Sequence, residues 1–322
     1  MLLPILFAAF VDGAVFGTYV TETGPQNPQN RVFSTNWFVV GAEHSIGRGS
    51  ILGRAKFSFE PLTIPREGYP QLFQYVSTRS GGPLVDAMRG HDLVEEVAVG
   101  LDWKPVQLYL APIGTPPLSA EPYAQRQSSI DFPEAPFAYD VQESFHVATR
   151  VASVALTSRF ADIEYGVFHT SVSTGRHTSI DDGNIDSWSA RLTLAPQSKM
   201  SAQISTGRLT DTKRKVSSAS VSYNGKMFTT SAIWTKQDEE TAYSLETELQ
   251  LGRGTLFGRG ESIRDRTHTT LGYIFDVMRT RRQRAGIGVS TDYHSNTKAL
   301  QAVYGHKPQT IYMFMRWRTE TR

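Results

Sequence analysis

The sequence predicts an all-β chain: residues 1–322 forming one domain, a single antiparallel transmembrane β-barrel of about sixteen strands. Three observations carry this expectation. Apolar and polar residues alternate along short segments from one end of the chain to the other, the two-residue period of a strand with unlike faces. Tight joins alternate with long loops through the first half, as in outer-membrane barrels with short turns at one end. No run reaches the roughly 18 apolar residues of a membrane helix, whereas many segments have the about 9–11 residues with which a tilted strand crosses a bilayer.

Strands are expected near 10–20, 34–44, 50–60, 91–103, 105–113, 143–156, 160–171 and 186–195, then 199–208, 215–223, 227–236, 241–251, 254–263, 268–278, 284–293 and 309–318. The apolar start LLPILFAAFV runs straight into AVFGTYV and reads as the approach to the first strand, with no basic leader before it. In ILGRAKFSFE (51–60), Ile51, Ala55 and Phe57 oppose Leu52, Arg54, Lys56, Ser58 and Glu60. In SWSARLTLAP, Trp188, Ala190 and Leu192 oppose Ser187, Ser189, Arg191 and Thr193. YSLETELQL (243–251) puts Tyr243, Leu245, Leu249 and Leu251 on one side and Glu246 and Glu248 on the other. RAGIGVSTDY and IYMFMRWR behave alike, with Asp292 and Arg316 on their polar sides. Residues 298–305 are expected to be loop, because bacterial barrels of this kind have even strand counts.

SIGRG, Lys104, SRFA and PQSK are the tight joins of the first half; 21–33, 61–90, 114–142 and 172–185 are long. NGK and GRG are tight in the second half, where the partner loops shorten too. A soluble sandwich of this size would need a large core and would leave sheet edges to protect. Only 39% of residues are apolar, enough for an outer band against lipid but thin for such a core. Trp37, Trp103, Trp188, Trp234 and Trp317 lie on or near the apolar faces, as interface anchors do.

Composition excludes several function classes. A net charge of +2 with no basic stripe argues against nucleic acid as a partner. The absence of cysteine removes disulfides, thiolate metal sites and a thiol nucleophile. There is no Gly-x-Ser-x-Gly elbow. Ser144 with His146, and the His294-Ser295-Asn296 triplet in an expected loop, read as turn and surface residues, so no enzyme and no catalytic residue is expected. GRGTLFGRG (252–260) lacks the Lys-Ser/Thr ending of a phosphate loop and reads as a turn between strands.

If the apolar flanks face lipid, Arg54, Lys56, Glu60, Glu96, Glu164, Arg191, Glu246, Glu248, Arg259, Glu261 and Arg316 project inward as pore-lining residues. Both signs occur, which favours cross-strand pairing over a strong ion filter. The loops at 61–90 and 114–142, rich in proline and aromatic residues, are long enough for at least one to fold inward and narrow the lumen. A second cluster, His91, Asp92 and His146, with Glu96, Asp140 and Glu143 nearby, offers imidazole and carboxylate ligands suited to a transition metal.

Segments GYPQLFQ (68–74), GHDLVEE (90–96) and DFPEAPFAYDVQESFHV (131–147) carry a family resemblance, as do RVFSTNWF and the final YGHKPQTIYMFMRWR. The chain resembles an uncharacterised, porin-like family of Gram-negative and acidobacterial outer-membrane β-barrels. That family tends to read His-Pro-His-Asp where this chain has Arg89, Gly90, His91 and Asp92, and His-His where it has Tyr139 and Asp140. The resemblance implies a bacterial outer-membrane location, with outer-membrane lipid as partner, and the missing histidines weaken any metal site; no cofactor is expected. The expected function is a passive channel for small hydrophilic solutes. The alternatives are a metal-handling barrel built on His91, Asp92 and His146, or a plugged barrel serving as anchor or scaffold. Nothing in the sequence marks a subunit interface.

Overall fold

The computed structural model describes residues 8–23, 30–65, 92–170, 183–210, 213–264, 266–295, 301 and 309–320. Strand β1 is Ala8–Thr23, β2 Asn30–Ile46, β3 Gly49–Phe57, β4 Val94–Trp103 and β5 Val106–Gly114. Then come β6 Ala148–Thr157, β7 Ala161–His169, β8 Ser187–Leu194, β9 Met200–Leu209, β10 Arg214–Asn224 and β11 Phe228–Gln237. The last are β12 Glu240–Leu251, β13 Gly254–Ile263, β14 Arg266–Arg279, β15 Gln283–Ser295 and β16 Gln309–Thr319. Each pairs antiparallel with its neighbours in sequence, and β1 pairs with β16, so sixteen strands close into a barrel. Closure satisfies every ladder without an exposed edge. No helix among the described residues is long and apolar enough to cross a membrane.

The alternation sets the two faces. Leu110, Ile163, Ile204, Leu245, Leu271, Ile287 and Met315 project outward from different strands, each more than half exposed. Their neighbours in sequence, such as Ser205, Glu246 and Thr270, point the other way and are buried inside. An apolar exterior over a closed sheet is the surface that acyl chains solvate. Tight turns at 47–48, 252–253 and 280–282 lie at the end that also holds Gly13 opposite Thr319. Gly47 and Gly252 have φ of +59° and +63°, a turn conformation that a side chain would oppose.

Several expectations need correction. Trp37 is not an interface anchor: it points inward and is 7% exposed, packed with Phe16, Phe33 and Val39. The inner faces of β1 and β2 are themselves apolar because protein, not water, lies against them. Glu60 is not on a strand but opens a single helical turn, α1 (Glu60–Thr63), where its carboxylate accepts the Asn36 N–H at 3.1 Å. His294 and Ser295 are strand residues of β15 rather than loop. The expected 21–33 loop is shorter, since β1 and β2 extend to Thr23 and from Asn30. Residues 66–90 of the first long loop and most of 298–305 lie outside the described residues.

The lipid-facing orientation makes a sharp prediction. Leu245→Arg, at mid-strand on the exterior, should destabilise the barrel in lipid vesicles by about 2–4 kcal/mol. Urea titration of the vesicle-embedded protein measures this; an unchanged midpoint would place Leu245 away from the bilayer.

Candidate functional site

Residues 115–147, between β5 and β6, do not cap the barrel; they turn into it and cross the lumen. Five prolines (Pro116, Pro117, Pro122, Pro133 and Pro136) prevent a regular helix or strand. The only helix in the segment is the single turn α2, Tyr139–Gln142. Irregular backbone at membrane depth is tolerated only where its polar groups are paired within protein. Side chains of the wall supply that pairing.

Three acidic residues accept main-chain donors or the segment's arginine. Glu248 accepts the Asp131 N–H at 2.9 Å. Glu261 accepts the N–H groups of Phe137 and Ala138 at 3.1 and 2.9 Å. Glu246 takes the Arg126 guanidinium on both oxygens, at 2.6 and 2.9 Å. Hydroxyls on other strands pair with the segment too: Ser205 accepts the Ser119 N–H at 2.8 Å, Ser231 accepts the Ser128 hydroxyl at 2.8 Å, and Thr35 donates to the Pro133 carbonyl at 2.7 Å. Arg316 and Arg318 hold Asp131 from β16, at 2.5 and 3.1 Å, and Arg316 also pairs with Asp276.

Apolar contacts fill the spaces between these bonds. Tyr123, Ile130 and Phe132 pack on Phe16, Trp37, Phe257 and Phe314. Phe132 meets Phe257 edge-on at 4.7 Å between ring centroids, and the Arg259 guanidinium lies 4.0 Å above the Phe132 ring. Phe137 and Val141 pack on Ala242 and Ile263, while Leu118 and Phe145 pack on Ala98, Phe168, Leu209 and Val216. Each fully buried large side chain contributes about 1.5–3 kcal/mol.

The inward charged residues therefore separate into two groups. Glu246, Glu248, Arg259, Glu261 and Arg316 face inside but lie buried beneath the segment. Arg54, Glu164 and Arg191 face open space, with 36%, 21% and 23% of their side chains exposed. Arg54 and Glu164, with Glu43, Asp102, Gln107 and Tyr109, border a cavity of about 320 Å³ on the inner surface of β2–β7 toward the tight-turn end, and Arg191 stands beside it through its pair with Glu164. Arg54 and Tyr109 share Glu96, at 2.7 and 2.6 Å, and Arg191 pairs with Glu164 through two contacts at 2.5 and 2.9 Å.

Lys56 pairs with Glu95, at 2.6 Å, a residue that strict alternation would turn outward. A bulge opposite Lys56–Phe57 sends both Glu95 and Glu96 inside. Of the expected metal ligands, His91 lies outside the described residues, and Asp92 is half-buried just ahead of β4. His146 is buried at the end of the crossing segment, 3.6 Å from Glu143. Ser144 donates to the Asp140 carbonyl at 2.7 Å as part of a turn.

A different set converges on β13–β15. His268 Nδ1 contacts Glu261 at 3.0 Å and its Nε2 contacts Asp292 at 3.2 Å. His294 stacks on His268 with ring centroids 4.7 Å apart. One ligand atom each from His268, Asp292 and His294 lies within 4.8 Å of the others, all three residues being buried. Sequence reading missed this set because His268 stands alone in THTT; its partners became visible only with the pairing of β14 and β15.

Electrostatics of the crossing segment follow from its burial. Burial alone would raise the Glu143 carboxyl, but the Arg126 guanidinium at 3.0 Å, with His146 and the Tyr123 N–H, holds it at about 2. Glu134 goes the other way: burial, with the Asp292 carboxylate nearby, pushes it well above the usual carboxylate range.

The fold has close parallels among solved structures. An anion-selective porin from Comamonas acidovorans matches with a TM-score of 0.61 at 11% identity, over 97% of this chain and 100% of that one. A mutant of the Rh. blastica porin gives 0.56 at 9% identity, over 97% and 100%. OmpT, an outer membrane protein of Vibrio cholerae, gives 0.55 at 8%, over 96% and 97%. No family model matches the chain, and neither does any curated protein. Such likeness establishes the fold: a closed, sixteen-stranded porin-type barrel.

Two predictions test the clamp. Arg126→Ala leaves Glu143 buried without its arginine and Glu246 with Arg259 alone, and should cost about 3–5 kcal/mol in detergent unfolding titrations. Because the folded Glu143 carboxyl sits below its ordinary 4.5, its contribution is complete above that pH and is lost as pH falls toward about 2. The urea midpoint should drop across that window, and by less in Glu143→Gln.

Proposed function

We propose that the chain is an outer-membrane channel for small hydrophilic solutes, with a passage confined to one side of the lumen by residues 115–147. One observation carries this reading: the crossing segment is pinned to β9–β14, β16 and β2, while ionised side chains on β2–β8 border a water-accessible space. Apolar solutes gain nothing from such a wall, and large ones do not fit beside the segment. The outer apolar surface and the porin-type fold support a location in the bacterial outer membrane.

Within this proposal Arg54, Glu164 and Arg191 line the passage directly. Lys56, Glu60 and Glu96 set the wall behind it, and Glu246, Glu248, Arg259, Glu261 and Arg316 fix the constriction. The Arg191–Glu164 and Arg54–Glu96 pairs cancel much of the local field, so ion selectivity is weak. Transport is diffusive and no bond-making step is involved.

A second reading has a specific observation behind it. Residues 115–147 are buried almost throughout, as they would be in a plug that leaves the barrel to act as an anchor or scaffold. Planar-bilayer recording separates the two. The channel predicts discrete steps smaller than those of an unobstructed sixteen-stranded barrel, and larger steps in Asp131→Ala, which frees the segment from Arg316 and Arg318. Silence from folded wild type together with conductance in the variant would assign the plug.

A further inference from the structure

We propose that His268, Asp292 and His294 form a binding site for a divalent transition-metal ion of the zinc type, buried where the crossing segment meets the barrel wall. This site is separate from the passage on β2–β8.

The three side chains project to the same inner face from adjacent strands, His268 directly opposite His294 and Asp292 two residues before His294. Two imidazoles bound to one ion at about 2.1 Å place their ring centroids roughly 5.3 Å apart at the tetrahedral angle, and closer as that angle narrows. The observed separation is 4.7 Å. His268 Nε2 and Asp292 Oδ2 lie 3.2 Å apart, a spacing that suits two ligands of one ion. They are not aligned as donor and acceptor, and neither atom has another hydrogen-bond partner among the described residues. A pair converging side by side, fully buried, points to a shared third body.

The surroundings match what a ligating histidine requires. A ring nitrogen that binds a metal is oriented by a carboxylate on its other nitrogen. Glu261 occupies that position, 3.0 Å from His268 Nδ1, and is itself fixed by two main-chain N–H groups. Imidazole with carboxylate suits zinc, nickel or copper, and disfavours magnesium and calcium.

The test uses the full chain folded in detergent, stripped with chelator and titrated with zinc chloride by calorimetry. Metal content is measured after dialysis, and cobalt(II) is substituted as a spectroscopic probe. Heat-modifiable gel mobility verifies folding of every variant. Wild type should bind one zinc ion per chain, and zinc should raise its urea midpoint. His294→Ala and Asp292→Asn should lose the ion, Glu261→Gln should bind about 10–100-fold more weakly, and His146→Ala should bind as wild type does. His294→Gln, which keeps volume and polarity, replaces the alanine variant if that one does not fold. Absence of stoichiometric binding by wild type, binding that survives both His294 substitutions, or a cobalt X-ray absorption spectrum without histidine nitrogen would each overturn the site. Loss of binding in His146→Ala instead would move it to the other end of the segment and equally refute the assignment.

Discussion

The structure depends on one constraint: a backbone with no regular secondary structure lies inside a barrel, and its buried polar groups must find partners there. Strand and helix solve this problem by themselves, but residues 115–147 cannot, because their prolines interrupt both. The wall solves it for them. Glu248 and Glu261 accept main-chain N–H groups, and Ser205 and Thr35 meet an amide and a carbonyl. Acidic residues on strands β12 and β13 are thus scaffolding for a loop as much as surface for a solute.

That constraint divides the interior. Where most of the segment rests, on β1, β2 and β9–β16, the inner face mixes apolar side chains with charges that are nearly all paired, since an unpaired ion away from water costs several kcal/mol. Asp131 shows the arrangement: two arginines from β16 converge on one oxygen, and Glu248 takes the same residue's N–H. Across the lumen, from β3 to β8, Arg54, Glu164 and Arg191 remain partly solvated although their pairs are as short as the buried ones. Solvated pairs contribute little to stability, which leaves those positions free to be set by what passes along them.

The two-residue period was legible wherever one face met lipid and the other met something polar. YSLETELQL and SWSARLTL gave strand, face and charge together. Where both neighbours are apolar the period vanishes, so Phe16, Phe33 and Trp37 gave no sign that they face a packed interior. Bulges hid the rest. One residue inserted near Glu95 turns an apparently outward carboxylate inward. Another, between Asp276 and Met278, shifts the β14–β15 register; continued from the Arg279–Arg284 pair without it, His268 would stand opposite Ser295 rather than His294. A strand period says which face a residue takes only until the first such irregularity. The candidate site lies beyond one.

Glu261 is where these features meet. Its Oε1 accepts the Ala138 N–H, while its Oε2 accepts the Phe137 N–H and contacts His268 Nδ1. A carboxylate sharing its oxygens in this way distributes its charge among them, and in a low-dielectric interior each bond responds to the others. Whatever sits on the far nitrogen of His268, a proton or a metal ion, polarises the Nδ1–H and tightens its bond to Glu261. Some of the charge that held the two amides is then withdrawn. Occupancy at His268 and the seating of residues 137–138 are coupled through a single side chain, without movement of the barrel itself. If the barrel is the channel proposed above, this coupling gives a buried histidine a route to the passage on the opposite wall.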